Sequence, residues 1–114
     1  MPRTRKRAAP IISVACYKPK RGKAKQLLAC VRDHIPTLRS QKLVTNRKPI
    51  VMQAADGTIV EVIEWQSEQA IADAHENAVV GRLWARFDAC CTFAKFCDLA
   101  EAKSTFPGFS PVKS

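Results

Sequence analysis

Apolar positions along this 114-residue chain change their period several times, and each change marks an element. Ile11–Tyr17 is rich in strand formers and is halted by the stretch Pro19 to Gly22. From Lys23 the period becomes helical. Ala24, Leu27, Leu28, Val31, Ile35 and Leu38 form one apolar stripe, and Pro36, which lacks an N–H, is expected to kink or end that helix early. Two strand-like runs follow, Ile50–Ala55 and Thr58–Gln66, joined at Asp56-Gly57. That pair predicts a type I′ hairpin turn, which needs φ > 0 at both central residues. Ser67 is placed to cap a helix that starts at Glu68, reaches about His75 and is interrupted at Asn77. Val80, Leu83, Trp84, Phe87 and Cys91 continue at helical spacing, Thr92–Leu99 returns to strand character, and residues 106–111 read as an extended aromatic-proline stretch.

The resulting order, βαββαβ, is that of an α+β domain with a ferredoxin-like arrangement, helices on one face of an antiparallel sheet. The length fits one domain, taken as residues 11–103, between a disordered basic arm at 1–10 and an extended tail at 104–114. A half-solvated strand should alternate apolar with polar residues. The third strand does not: Val60 and Val62 lie on one parity, and Ile59, Ile63 and Trp65 on the other. Two helices cover one face only, so a second subunit is expected on the other, and the chain is read as a homodimer.

The net charge of +9 narrows when it is mapped. Residues 1–25 carry nine basic side chains and no acidic one, whereas residues 26–114 balance at ten of each. An arm of this kind binds nucleic acid or another polyanion weakly, or simply solubilises; no aromatic side chains are interleaved to stack on bases. No apolar run is long enough for a membrane span, and no apolar segment follows the basic start as a secretory signal would require. Five cysteines without C-x-x-C spacing (Cys16, Cys30, Cys90, Cys91, Cys97) argue against zinc and against a disulfide framework. Most of them sit among apolar neighbours as small hydrophobes, which fits a reducing, cytoplasmic setting.

The segment from Glu61 to Ala70, a strand ending Trp65-Gln66-Ser67 and a helix opening on Glu68-Gln69-Ala70, followed by His75, resembles the antibiotic-biosynthesis-monooxygenase-like family. The resemblance covers about Ile11 to Leu99 and implies a dimeric α+β barrel. It also implies a pocket in each subunit that, in some members, oxygenates phenolic or quinol-like molecules without any cofactor. Haem-degrading members of the family need three residues that this chain lacks. Their Asn, Trp and iron-ligating His positions fall on Ala15, Ala74 and Trp84, so haem is not an expected ligand.

Cofactor-free oxygenation asks the protein to deprotonate a small aromatic substrate, hold it flat and exclude water. His75 is the candidate base, with a helix-surface role as the plainer reading. Glu61, between Ile59 and Ile63 on one strand face, is the second candidate catalytic group, or else half of a salt bridge to Arg or Lys. Tyr17, Trp65, Trp84 and Phe87 are candidate pocket walls, though such aromatics also serve as plain core. Arg82, with Arg86 one turn on, is a candidate for orienting an anionic substrate, or a solvated face. His34 is read as a residue favoured by the helix C-terminal dipole, without a catalytic role. No metal or cofactor is expected. The alternative to an oxygenase is a non-catalytic dimeric binding protein whose basic arm contacts the polyanion.

Overall fold

A computed structural model describes residues 9–113. The arm's residues 1–8, and any nucleic-acid contact expected of them, lie outside the described residues. Among the described residues the strands are β1 (Ile11–Pro19), β2 (Ile50–Gln53), β3 (Ile59–Trp65), β4 (Cys91–Ala94) and β5 (Ser110–Pro111). The helices are α1 (Ala24–Ser40), α2 (Glu68–His75) and α3 (Ala78–Cys90). All strand pairs are antiparallel, and the sheet order is β4-β1-β3-β2-β5. This is a small α+β domain.

Local chemistry sets most of the boundaries. Ser67 Oγ accepts the N–H of Ala70 at 3.1 Å and opens α2. Asn77 opens α3 in the same way, its Oδ1 accepting from Val80 at 3.0 Å. Its Nδ2 donates to Gln41 Oε1 at 3.0 Å, tying this junction to the end of α1. At the hairpin only Gly57 has positive φ, +94°, so the expected two-residue turn is replaced by a three-residue loop. Ala54 N–H donates to Thr58 O at 2.9 Å, and Gly57 N–H to Ala54 O at 3.0 Å. Asp56 Oδ1 takes the Thr58 N–H at 2.9 Å, which lets Asp56 stay out of the left-handed region.

Pro36 does not stop α1. The helix runs on to Ser40 and buries Leu38 completely. The ring of Pro36 is exposed while its neighbour Ile35 is buried, so apolar burial on either side of Pro36 outweighs one missing backbone bond. At the other end of the chain, β4 stops at Ala94 rather than Leu99. The backbone turns through two short 3₁₀ segments, Phe96–Asp98 and Ala100–Lys103, and Leu99 packs against Cys16, Ala54 and Val60. The segment expected as a tail returns to the sheet: β5 pairs with β2, Val112 N–H donates to Val51 O at 2.9 Å, and Phe109 sits on Phe96.

The two faces of β3 are therefore covered differently. Ile59, Glu61, Ile63 and Trp65 are buried under the chain's own helices, so these residues do not need a partner subunit. On the opposite face Val60 is buried by the Leu99 segment. Val62, aligned with Val14 and Ile50, is left in an open apolar patch with Ile12, where Ile12 is 54%, Val14 50% and Ile50 58% exposed. Four cysteines, Cys16, Cys30, Cys90 and Cys91, are buried, and Cys97 is exposed. No described helix is long and apolar enough to cross a membrane.

Continuation of α1 past Pro36 has a direct test. Leu38→Ala should destabilise the protein by about 2–5 kcal/mol in urea denaturation, as a fully enclosed leucine does. A helix ending at Pro36 would leave that side chain loose, and the substitution would then cost little.

Candidate functional site

On β1 the residues facing the helices are Ile11, Ser13, Ala15 and Tyr17, and on β3 they are Ile59, Glu61, Ile63 and Trp65, with Ala15 directly opposite Glu61. Period-two alternation thus puts an acid in the middle of the covered face, where its side chain is 0% exposed. Helix α1 brings His34 over it and α3 brings Trp84 over His34. Tyr17 O–H donates to Glu61 Oε1 at 2.7 Å, and His34 Nδ1 lies 2.8 Å from the same oxygen. Trp84 Nε1 lies 2.9 Å from His34 Nε2.

The direction of this chain follows from its end. An indole N–H can only donate, so His34 Nε2 must accept, and the imidazole proton sits on Nδ1 and points at Glu61. The result is a four-residue relay, Trp84 to His34 to Glu61 from Tyr17, that joins α1 and α3 to β1 and β3. Burial pushes the Tyr17 phenol well above its usual value near 10, and the charge of Glu61 and the hydrogen bond to it act in the same direction. Glu61 Oε2 is buried and has no hydrogen-bond partner among the described residues.

Beside the relay lies a pocket of about 360 Å³. Tyr17, His34, Trp65, Trp84, Phe87 and Phe93 supply its aromatic walls; Ser13, Ala15 and Ile63 form its floor; and His75 and Asp88 stand at its margin. The space exists because Ser13 and Ala15 are small where the flanking β1 residues, Ile11 and Tyr17, are large. Trp65 Nε1 donates to Ser13 Oγ at 2.8 Å, which fixes the plane of one wall. His75 is exposed; its Nδ1–H donates to Ile71 O at 2.9 Å, leaving Nε2 free, and its ring stands 5.0 Å from that of Trp84. The pocket can hold a small flat molecule against aromatic rings, with one free imidazole nitrogen at its edge.

Of the residues singled out from sequence, Tyr17, Trp65, His75, Trp84 and Phe87 wall this one pocket. Glu61 touches it only through Tyr17 and His34, and its partners are these two rather than an Arg or Lys. Arg82 is not there. It is exposed, and it lines an outer groove between α1 and α3 with Asp33 and Arg86, because Val80, Leu83 and Phe87 turn the opposite side of α3 inward. Arg86 bonds Asp33 at 2.9 Å on that outer side. His34 is the residue that sequence reasoning misplaced: it is buried at the centre of the relay rather than free at a helix end. Its spacing carried the signal, since Leu27, Val31, His34 and Leu38 are all on the buried face. Among the described residues no group of three or more His, Cys, Asp or Glu is placed to hold a metal ion.

Tyr17 is the only tyrosine, so ultraviolet titration reads it directly. Tyrosinate should be absent through pH 10 and appear only well above it, and Glu61→Gln should bring ionisation back toward the ordinary value. Because the folded phenol titrates later than the unfolded one, the contribution of Tyr17 to stability should be constant below about pH 10 and fall as pH rises beyond it. Ionisation of the native protein at the ordinary value would show that Tyr17 is not held against Glu61.

No family model matches the sequence, and no curated protein matches it. Solved structures do. A protein from Shewanella oneidensis is similar with a TM-score of 0.60 and 16% identity, over 76% of this chain and 86% of that one. A conserved protein from Methanosarcina mazei Go1 is similar with a TM-score of 0.60 and 14% identity, over 80% of this chain and 92% of the other. At these identities the likeness is one of fold alone.

Proposed function

We propose that this chain is a homodimeric, antibiotic-biosynthesis-monooxygenase-like protein that binds a small phenolic or quinol-like molecule in the 360 Å³ pocket and oxygenates it without a cofactor. The observation that carries the reading is the aromatic pocket bordered by both a buried relay and a free imidazole nitrogen. In this reading His75 Nε2 takes the substrate's acidic proton, and the aromatic walls hold the ring flat and keep water away. The electron-rich anion passes one electron to dioxygen. Recombination of the two radicals at a ring carbon that carries two hydrogens in the keto tautomer gives a hydroperoxide, and loss of water leaves C=O there, so that one O₂ is consumed and one H₂O released per substrate. Tyr17, Glu61 and His34 position the pocket wall and hold a fixed field beside it; His34 does not act as the base, because the Trp84 indole occupies its Nε2.

The strand order β4-β1-β3-β2 supports a ferredoxin-like domain, and the open patch of Ile12, Val14, Ile50 and Val62 supports a second copy on the sheet's far face. The alternative, a non-catalytic dimeric binder with a polyanion-binding arm, keeps the same dimer and pocket and differs only in turnover.

Two measurements test these proposals. With an anthrone or hydroquinone substrate and no added flavin or metal, the protein should consume oxygen, and His75→Ala should lower the rate by about 10²-fold. Oxygen uptake at the buffer rate with every such substrate would leave the binding-protein reading. For the dimer, sedimentation equilibrium should give about twice the 12.7 kDa chain mass. Val14→Lys should give a folded monomer, since it charges the open patch and leaves the helix-covered core untouched. A wild-type monomer would remove the dimer from the proposal.

A further inference from the structure

A second and larger concavity lies on the other side of Glu61. It is a cleft of about 770 Å³ between α1 and the β2–β5 edge. Helix α1 lines it with Leu28, Val31 and Ile35, and the sheet edge with Val51 and Val112, so its body is apolar. Its rim is basic: Arg32, Arg39, Lys48 and Lys113. Arg39 is partly committed, since its guanidinium donates to the carbonyls of Thr45 and Arg47. Arg32, Lys48 and Lys113 form no ion pair among the described residues. The only acidic side chain in its lining is Glu61, fully buried at the floor.

Glu61 is what makes this more than a basic surface. Its Oε1 is saturated by Tyr17 and His34, while Oε2 is enclosed without a donor. An enclosed carboxylate oxygen with no partner is costly, and a donor from a bound molecule would remove that cost. Val51, the cross-strand neighbour of Glu61, is half-buried and lines the cleft beside it.

We propose that this cleft is a second ligand site, for a free aryl-alkyl carboxylate that carries a hydroxyl at the far end of its ring. The carboxylate sits among Arg32, Lys48 and Lys113, the ring and linker lie against Leu28, Val31, Ile35 and Val51, and the hydroxyl donates to Glu61 Oε2. A volume of 770 Å³ is in the range of small-molecule pockets, and the three parts of the ligand match rim, wall and floor in order. The site is independent of whether the smaller pocket supports catalysis, and Glu61 connects the two only through Tyr17 and His34. A ligand in the cleft therefore touches the relay that borders that pocket.

The test is a backbone-amide NMR titration with para-hydroxyphenylpropionate and with phenylpropionate. Saturable shifts are expected in α1 from Leu28 to Arg39, in the segment from Asn46 to Val51, and at Val112 and Lys113. The hydroxylated probe should bind about tenfold more tightly, the size of one hydrogen bond to a charged group. The double variant Arg32→Gln, Lys48→Gln should weaken both probes about tenfold or more, whereas Phe93→Leu, in the smaller pocket, should change neither. Absence of saturable shifts up to about 10 mM would overturn the proposal, a concentration at which binding would be barely favourable. So would shifts confined to Ser13, Ile63 and α3, or affinities indifferent to the double variant. Equal affinity for the two probes would overturn the assignment of Oε2 as a ligand atom.

Discussion

One carboxylate oxygen holds this structure's centre. Glu61 is buried in the middle of the sheet, and its Oε1 accepts from Tyr17 on the neighbouring strand and from His34 on α1. Desolvating an acid at that depth costs several kcal/mol unless donors replace the lost water. The two donors come from different elements, so their contacts form only when β1, β3 and α1 are in register with one another. Trp84 extends the requirement to α3 by filling the remaining nitrogen of His34. Four elements are thereby fixed relative to one point, which apolar packing alone, being non-directional, does not achieve.

The two concavities follow from the same arrangement. Beneath α2 and α3, the small side chains of Ser13 and Ala15 face Trp65, Trp84 and Phe87, and the aromatic rings span the gap without filling it. Across Glu61, the β2–β5 edge extends past the reach of α1, and the uncovered strip between them is the larger cleft. A single buried acid thus separates an aromatic chamber with a free imidazole at its margin from an apolar cleft with a cationic rim. The two sides differ in chemistry: one is walled by aromatic rings, the other by aliphatic side chains under a basic rim.

Coverage of the sheet's far face is uneven for a reason that lies in the chain after β4. Leu99 is carried over Cys16, Ala54 and Val60 by the turn at Phe96–Asp98, and Phe96 and Phe109 pack together beside it. That segment seals one end of the face. The other end, with Ile12, Val14 and Ile50 about half exposed, receives no cover from the described residues. Apolar area of this kind is the usual mark of an interaction surface.

The sequence by itself determined the elements whose signals are local. The helical stripe from Leu27 to Leu38, the Ser67 cap, the strand runs and the presence of a loop at Gly57 depend on residues within one or two turns of each other, and periodicity reports them. Tyr17, Trp65, His75, Trp84 and Phe87 were singled out from the sequence for one pocket, and all five line the same one. What the sequence did not decide was every feature set by distant partners. Whether Pro36 ends α1 depends on what Ile35 and Leu38 can bury. The side to which Arg82 turns depends on which face of α3 the sheet takes, and the fate of residues 104–112 depends on an open strand edge. His34 and Glu61 are 27 positions apart, and neither carries a local sign that it will meet the other. Only the tertiary structure brings them to 2.8 Å, because only a closed fold removes the water that would otherwise satisfy each of them alone.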